Sequence, residues 1–169
     1  MRRRLFVLLF ALAIVPLSAG AVAAGGKADL AAVRQATNKY QDINAAYADG
    51  YVNFYKCTEQ PGVGTMGQHL VKPALVGDDA VDPLQPEALV YEPTRAGGWK
   101  LVAVEYVTFN TSSQQFVLGQ PMILVGAGNR FGLPTFYERH AWIWQGNPLG
   151  TFADWNPDVT CLGTGDNGG

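Results

Sequence analysis

The chain has 169 residues, and its first 24 have the composition of an export signal, which leaves about 145 residues for one domain with a substantial core. Removing Arg2, Arg3 and Arg4 with that leader leaves nine basic and fourteen acidic side chains, a net charge of −5. A mildly acidic domain is a poor candidate for binding nucleic acid or an anionic membrane surface, because both require clustered Lys and Arg. With 15% charged residues, 20 Gly and 10 Pro, the chain is rich in loops but too apolar to be disordered.

The N-terminus has the layout of a secretory signal peptide. Arg2–Arg4 precede an eleven-residue apolar run, Leu5–Val15, and small residues around Ala21–Ala24 satisfy the cleavage rule. The alternative is a membrane anchor, but a helix of that length spans only about 16 Å, roughly half of the hydrocarbon core. We therefore expect a signal peptide over residues 1–24 and a single domain over 25–169, secreted or periplasmic, with no membrane span after cleavage.

An amphipathic helix is predicted from Asp29 to Tyr51. Apolar and aromatic residues recur there at intervals of three and four, which places them on one face of a helix. Asp29 suits the N-cap or the first turn, where a carboxylate interacts favourably with the helix dipole, and Gly50 suits the C-terminal stop. The tyrosines of this face, Tyr40 and Tyr47 among them, are expected to anchor it in the core rather than to line a ligand pocket.

Short strands are predicted for the rest of the domain. Residues 59–67 hold three Gly and one Pro and are predicted to form a loop. The predicted strands that follow are Gln68–Lys72, Ala88–Glu92, Trp99–Asn110, Gln115–Leu118, Met122–Val125 and Thr135–Trp144. Their connections are too short for crossover helices, so the sheet should be mainly antiparallel. The predicted fold is α+β, with one N-terminal helix packed on a curved antiparallel sheet that can roll into a partial barrel.

The two cysteines, Cys57 and Cys161, are predicted to form a disulfide, because an even pair in an oxidising compartment usually does so. The bridge would close a loop of about 100 residues, for which the chain-entropy model gives roughly 4–5 kcal/mol of stabilisation. A metal pair or a catalytic thiol is the alternative, although no Cys-x-x-Cys spacing supports a metal site.

Both histidines of the chain lie in unusual surroundings. His69 directly follows the glycine-rich segment, and His140 lies in an aromatic stretch that is predicted to be a strand. Strand alternation places His140 on the same face as Trp142 and Trp144, with Glu138 preceding them on that face. The face is therefore either a wall of the core or the wall of a pocket.

Glu105 is the second unusual residue, since strand alternation puts its carboxylate on an apolar face with Leu101 and Val107 among its neighbours. Such a carboxylate must be paired, hydrogen-bonded, metal-bound or protonated, because burying it alone costs several kcal/mol. Glu92 ends the preceding predicted strand in a similar setting.

Together, His69, Glu105 and His140 can form a two-histidine, one-carboxylate metal site of the kind that suits zinc, or iron with open positions. Neutral imidazoles and a carboxylate need no deprotonation at neutral pH, but the spacing along the chain carries no signal. Two alternatives stay open. One is an ordinary buried network in which Glu105 pairs with Arg139 or Arg95, and the other is a proton-transfer pair of Glu105 and His140.

Several short strings occur in a characteristic order: Ala48–Tyr51, Met66–His69, Pro86–Pro93, Leu101–Tyr106, His140–Trp144, Asn147–Pro148 and Trp155–Cys161. In this combination the chain resembles a group of small exported bacterial proteins of uncharacterised function over nearly the whole mature domain. The resemblance implies no activity, and directs attention to five residues inside the strings: His69, Glu92, Glu105, His140 and Trp142. Glu138 and Arg139, ahead of His140, depart from the pattern, which is more apolar there.

The first hypothesis for function is an extracytoplasmic domain that binds a metal ion or a small ligand in a pocket. Its metal would be a divalent ion such as zinc or iron, held by His69, Glu105 and His140. The residues expected to contact a ligand around them are Glu92, Tyr106, Trp142 and Trp144.

Two further hypotheses belong to other functional classes. One is a metal-assisted enzyme, a hydrolase or an oxygenase, that uses the same cluster. The other is a structural or interaction protein of the envelope, whose Trp99, Trp144 and Trp155 would form one exposed apolar patch. The expected partners are a metal ion or a small molecule, and not nucleic acid.

Overall fold

The computed structural model describes residues 21–163, with side chains described from Asp29 onward. The predicted signal peptide, residues 1–24, therefore lies almost entirely outside the described residues. Within the described part, no helix is long and apolar enough to cross a membrane.

The described residues form three α-helices: α1 (Ala21–Thr37), α2 (Ile43–Ala48) and the single turn α3 (Pro73–Val76). The predicted single helix to Tyr51 is wrong in its continuity, because a 3-10 turn over Asn38–Gln41 separates α1 from α2. Asp42 makes the break, since its backbone is extended and its carboxylate accepts a hydrogen bond from the backbone N–H of Asn44. A capped N-terminus of this kind starts a new helix in a new direction.

Six strands form the main antiparallel sheet, which curls into a half-barrel, and two short strands form a separate hairpin. The strands are β1 (Val52–Gln60), β2 (Gly64–Val71), β3 (Ala88–Pro93), β4 (Trp99–Thr108), β5 (Phe116–Val117), β6 (Gln120–Pro121), β7 (Ile123–Val125) and β8 (Phe136–Ala141). The order in the sheet is β1-β2-β3-β4-β8-β7, with every neighbouring pair antiparallel. The predicted mixed fold with a curved antiparallel sheet is confirmed.

The predicted loop over residues 59–67 is wrong, because most of it belongs to the hairpin of β1 and β2. Two of its three glycines, Gly64 and Gly67, allow other parts of the chain to approach closely. A Cβ on Gly67 would lie 2.7 Å from Cγ1 of Val90, and one on Gly64 would lie 2.8 Å from the backbone of Asn156. Both glycines also have positive φ, which other residues rarely adopt.

The sheet has two buried faces with different roles. Leu70, Leu89, Val104 and Ala141 pair in succession across β2, β3, β4 and β8, and all four belong to the main hydrophobic core. Val33, Tyr40 and Ala46 of the helical region pack into this core. The residues directly next to these four in sequence point to the opposite face of the sheet, and His69, Glu105 and His140 are among them.

The C-terminal segment covers part of that opposite face. Val159 packs with Val90 and Trp142 in a second, smaller cluster. The predicted disulfide between Cys57 and Cys161 is confirmed, and it ties this segment to β1 across 104 residues of chain. A backbone bridge between Thr65 and Asn156 adds a second attachment.

Candidate metal centre and its cavity

Three strands position the candidate metal ligands. Glu105 of β4 pairs directly with His140 of β8, so the two side chains stand next to each other on one face. His69 lies on β2, two strands away from Glu105. The residue of β3 that pairs with Glu105 is Ala88, whose short, fully buried side chain leaves room for the imidazole of His69 to reach across.

The three side chains converge. The Nε2 atoms of His69 and His140 are 3.2 Å apart, and Nε2 of His69 is 3.4 Å from Oε2 of Glu105. One ligand atom from each residue falls within 4.8 Å of the other two. Two ligands of a tetrahedral zinc ion, each bound at about 2.0–2.1 Å, stand about 3.3–3.4 Å apart. The two separations that involve His69 therefore match a tetrahedral shell, while the distance from Nδ1 of His140 to Oε1 of Glu105, 3.8 Å, is longer.

Burial sets the protonation of the histidines. His69 is 6% exposed and His140 is fully buried. Burial lowers the pKa of His69 to about 4, although a hydrogen bond with the backbone of Gly67 opposes the shift. Burial and the neighbouring His69 lower the pKa of His140 well below its usual range. Both imidazoles are thus neutral at pH 7, which is the form that ligates metals.

His140 presents both ring nitrogens to the cluster. Its Nε2 faces His69, while its Nδ1 lies 3.8 Å from Oε1 of Glu105. That Nδ1 is buried and has no hydrogen-bond partner among the described residues. One imidazole brings only one nitrogen to a single ion, so Nε2 is the ligand atom in this geometry, and Nδ1 is the outer nitrogen, which in metal-bound histidines ordinarily donates to a carboxylate or a carbonyl.

Glu138 is a member of the cluster that the sequence prediction did not include. It is buried on β8 two residues before His140, and its carboxyl group hydrogen-bonds that of Glu105. Burial raises the pKa of Glu138 to about 7, and burial together with Glu138 raises the pKa of Glu105 well above its usual range. The signal was its alternation with His140, which placed it on the correct face but did not show that it would meet Glu105.

A cavity of about 120 Å³ opens beside the cluster. Its polar lining consists of His69, Glu105 and Glu138, which lie together, whereas His140 does not reach it. The rest of the wall is apolar: Phe54, Met66, Val71, Val76, Val107, Phe109, Phe131, Leu133 and Phe136. A metal held by the three ligands would therefore have a neighbouring space from which a further ligand can approach.

Trp142 is the one predicted ligand-contacting residue that touches the cluster. Its ring stacks on that of His140 with centroids 5.8 Å apart, and its Nε1–H donates a hydrogen bond to the carbonyl of Ala153 at 2.6 Å. It does not line the cavity. Its position is that of a support for His140 rather than a wall for a ligand.

The structure does not bring Tyr106, Trp144 or Glu92 to the cavity. Tyr106 alternates with Glu105, so it faces the main core, and its hydroxyl donates to the carbonyl of Pro83. Glu92 lies near the end of β3, opposite Lys100.

Trp144 also packs against the main core, and its Nε1–H donates to Oγ1 of Thr37. The reason is that β8 ends at Ala141, where the N–H of Ile143 turns back to the Ala141 carbonyl. The strand alternation that was expected to keep Trp144 beside Trp142 therefore stops before either residue.

The ion pair proposed as an alternative for Glu105 is not formed with Arg139. That guanidinium donates to the backbone carbonyls of Phe152 and Pro121 instead. Among the described residues, the nitrogen groups that lie within 4 Å of the Glu105 carboxyl are the two imidazoles, which are neutral at pH 7 and form no ion pair with it.

No family model, curated protein or solved structure matches this chain. The resemblance to small exported bacterial proteins stays a prediction.

Proposed function

We propose that this protein binds one divalent metal ion, of the zinc or iron class, through His69, Glu105 and His140. The observation that carries the proposal is the convergence of one ligand atom from each of these three buried residues, all within 4.8 Å of one another. Two imidazoles and one carboxylate form a donor set that both zinc and iron accept.

The surroundings support an ion with an open position rather than a closed structural site. Structural zinc sites have four protein ligands, whereas sites that act on small molecules keep a position free. Here three ligands converge, and His69 and Glu105 both border the cavity. The fourth position would therefore face the cavity.

The proposed compartment is extracytoplasmic, secreted or periplasmic. The disulfide between Cys57 and Cys161 supports it, because disulfides persist in oxidising compartments. The predicted signal peptide points to the same location.

Metal analysis of the purified chain with its disulfide intact tests the proposal. Metal-free protein is mixed with Zn²⁺, Fe²⁺, Mn²⁺ or Cu²⁺, and bound metal and melting temperature are measured. We expect one ion per chain, and a stabilisation of about 2.7 kcal/mol when free metal exceeds Kd a hundredfold. His69→Ala, His140→Ala and the near-isosteric Glu105→Gln should lose the bound ion, while Glu92→Gln should keep it. A folded chain that takes up no stoichiometric metal contradicts the proposal.

A metal-assisted hydrolase is the second candidate, and the cavity is the observation that favours it. A cluster sealed from any cavity could not receive a substrate, whereas Glu105 and Glu138 both reach this one. The zinc-loaded chain would be incubated with small aryl esters. Turnover that is lost in Glu105→Gln supports an enzyme, and no turnover above zinc alone leaves the binding role.

The interaction-protein hypothesis predicted one exposed patch of Trp99, Trp144 and Trp155. Trp99 is exposed, but Trp144 packs against the core and Trp155 lies under the guanidinium of Arg130. The described residues therefore do not join the three indoles into one exposed surface, and the metal-binding proposal is preferred.

A further inference from the structure

We propose that the cavity beside the metal centre receives a small, uncharged, mostly aromatic molecule with one ligating oxygen, the class of simple phenols. The inference rests on the proposed metal site, because the ligating oxygen would occupy the ion's open position. Three properties of the cavity carry it: its size, the sorting of polar and apolar groups in its wall, and the absence of basic side chains.

The size limits the ligand to a single ring. The cavity measures about 120 Å³. An apolar protein cavity of about 150 Å³ stays dry and accepts benzene. The cavity is slightly smaller than that, so a single six-membered carbon ring is the upper limit for the enclosed part of a ligand, with its ligating oxygen outside at the metal. A sugar, a nucleotide or a fatty acid is too large to be enclosed.

The polar groups of the wall are gathered at one place. His69, Glu105 and Glu138 belong to one cluster, and the remaining nine lining residues are apolar. Four of those nine are phenylalanines, whose ring edges and faces favour aromatic partners. A ligand that matches this wall has an apolar body with one polar atom at the end that points to the metal.

The charge of the cavity favours a ligand that enters without charge. None of the described residues that line the cavity is Lys or Arg, whereas two are glutamates. Apart from the metal ion itself, a carboxylate or phosphate ligand would find no positive group in the wall, and the two glutamates beside it would oppose its negative charge. A neutral phenol avoids both costs, and its oxygen can approach the metal without bringing a negative charge past the glutamates.

Phe131 places an aromatic ring at the open side of the half-barrel. It lies on the connection between β7 and β8, and its ring meets Tyr55 of β1 edge-on at 5.2 Å and Phe54 at 5.7 Å. The side chain of Asn129 holds this connection by hydrogen bonds with Gly126, Phe131 and Leu133. This part of the cavity wall is therefore an aromatic surface. It links β1, at one edge of the sheet, to the connection that follows β7, at the other edge.

Cobalt substitution tests the inference, because Co²⁺ replaces zinc and its visible spectrum reports a change of ligand. The full chain with its disulfide is loaded with Co²⁺, the bound metal is quantified, and phenol, benzoate and glycerol are titrated separately. We expect phenol to shift the visible bands with one equivalent bound per cobalt, and benzoate and glycerol to leave the spectrum unchanged at the same concentrations.

Two matched leucine substitutions distinguish an effect on ligand binding in the cavity from an effect on metal binding. Leu133 lines the cavity, whereas Leu124 is 53% exposed and does not. Leu133→Trp should retain one cobalt per chain and bind phenol about tenfold more weakly or worse, while Leu124→Trp should match the parent in both measurements. Val76→Phe, which fills the cavity from α3, gives the same test if Leu133→Trp does not fold.

The outcomes distinguish the two proposals. Stoichiometric cobalt without any response to phenol overturns the ligand inference and leaves the metal site standing. Equal phenol binding by the parent and by Leu133→Trp also overturns it, because the ligand would then lie outside the cavity. A folded chain that takes up no cobalt overturns both.

Discussion

His140 and Trp142 stack on the same side of the sheet, with ring centroids 5.8 Å apart and planes inclined by only 12°. The indole is itself held by the hydrogen bond from its Nε1–H to the carbonyl of Ala153. The C-terminal segment thus holds Trp142 in place, and the stacked indole in turn orients the ring of His140, one of the proposed metal ligands. Outer groups that hydrogen-bond metal-bound histidines are worth about 10–100-fold in affinity when removed, and Trp142 stacks on His140 instead, so the support it gives should be smaller.

Trp142→Phe is therefore expected to weaken metal binding by up to about tenfold without abolishing it, because an aromatic ring is kept but the hydrogen bond to Ala153 is lost. Competition of the zinc-loaded chain with a chromophoric chelator measures the affinity. Trp144→Phe is the matched control, since Trp144 is an indole with a hydrogen bond on the opposite face of the sheet. Equal affinities for the two variants would contradict a supporting role for Trp142.

Glu105 and Glu138 are expected to differ in their importance for metal binding, although they hydrogen-bond each other. Glu105→Gln removes a ligand and should abolish stoichiometric binding. Glu138→Gln removes a partner of that ligand and should reduce affinity by about 10–100-fold while keeping one ion per chain. Isothermal titration of both variants with Zn²⁺ gives stoichiometry and affinity together. Loss of stoichiometric binding in Glu138→Gln would instead make Glu138 a direct ligand.

Much of the sheet was predictable because period-two patterns and turn residues are local. The strands around Leu89, Leu101 and Tyr137 were placed correctly, and so was the antiparallel arrangement. Strand β1 was missed, because its hairpin with β2 depends on glycines that the pattern assigns to a loop. Those glycines are required by neighbours from distant strands, such as Val90 beside Gly67, which no local pattern contains.

The composition of the site was predictable, but its full membership was not. A carboxylate on an apolar strand and two histidines among aromatic residues were enough to single out Glu105, His69 and His140. The face of the sheet to which each neighbouring side chain points depends on irregularities in strand pairing, which a local sequence pattern does not reveal. A register shift between β3 and β4 pairs Tyr91 with Leu101, which turns Leu101 to the main core and away from Glu105.

Gly67 is expected to help position His69, two residues further along β2, because its backbone hydrogen-bonds His69 and its close neighbours leave no room for a side chain. Gly67→Ala would place a Cβ 2.7 Å from Cγ1 of Val90 and 2.9 Å from the carbonyl oxygen of Tyr91, at a φ of +101°. We expect a loss of about 2–4 kcal/mol in the free energy of unfolding, and weaker metal binding in the chain that still folds. Urea unfolding and zinc competition measure the two effects.

Gly62→Ala is the control for that substitution. Gly62 also has a positive φ, +78°, but a Cβ there meets nothing within 4 Å. Its cost should be about 1 kcal/mol, from backbone strain alone, with metal affinity unchanged. If both variants lose the same stability and keep the same affinity, the close contact at Gly67 does not position His69.

Glu87 should make the metal-free protein less stable as the pH rises. It is 1% exposed, Oε2 accepts a hydrogen bond from the N–H of Val107 at 3.0 Å, and burial raises the pKa of Glu87 to about 8. In the unfolded chain the same pKa is about 4.3. Between these two values the folded chain holds a proton that the unfolded chain has released. The stability from this group is therefore complete below about pH 4 and lost as the pH approaches 8.

Glu87→Gln removes that titration and still offers Val107 an acceptor oxygen. The free energy of unfolding of the parent should fall by up to about 1.4 kcal/mol per pH unit from this group, and the variant should show a flatter slope between pH 5 and 8. At pH 8 the variant should be the more stable of the two in urea unfolding. Glu59→Gln, at the half-buried end of β1, controls for loss of a carboxylate. Parallel slopes for Glu87→Gln and the parent would show that Glu87 is ionised in the folded chain across this range.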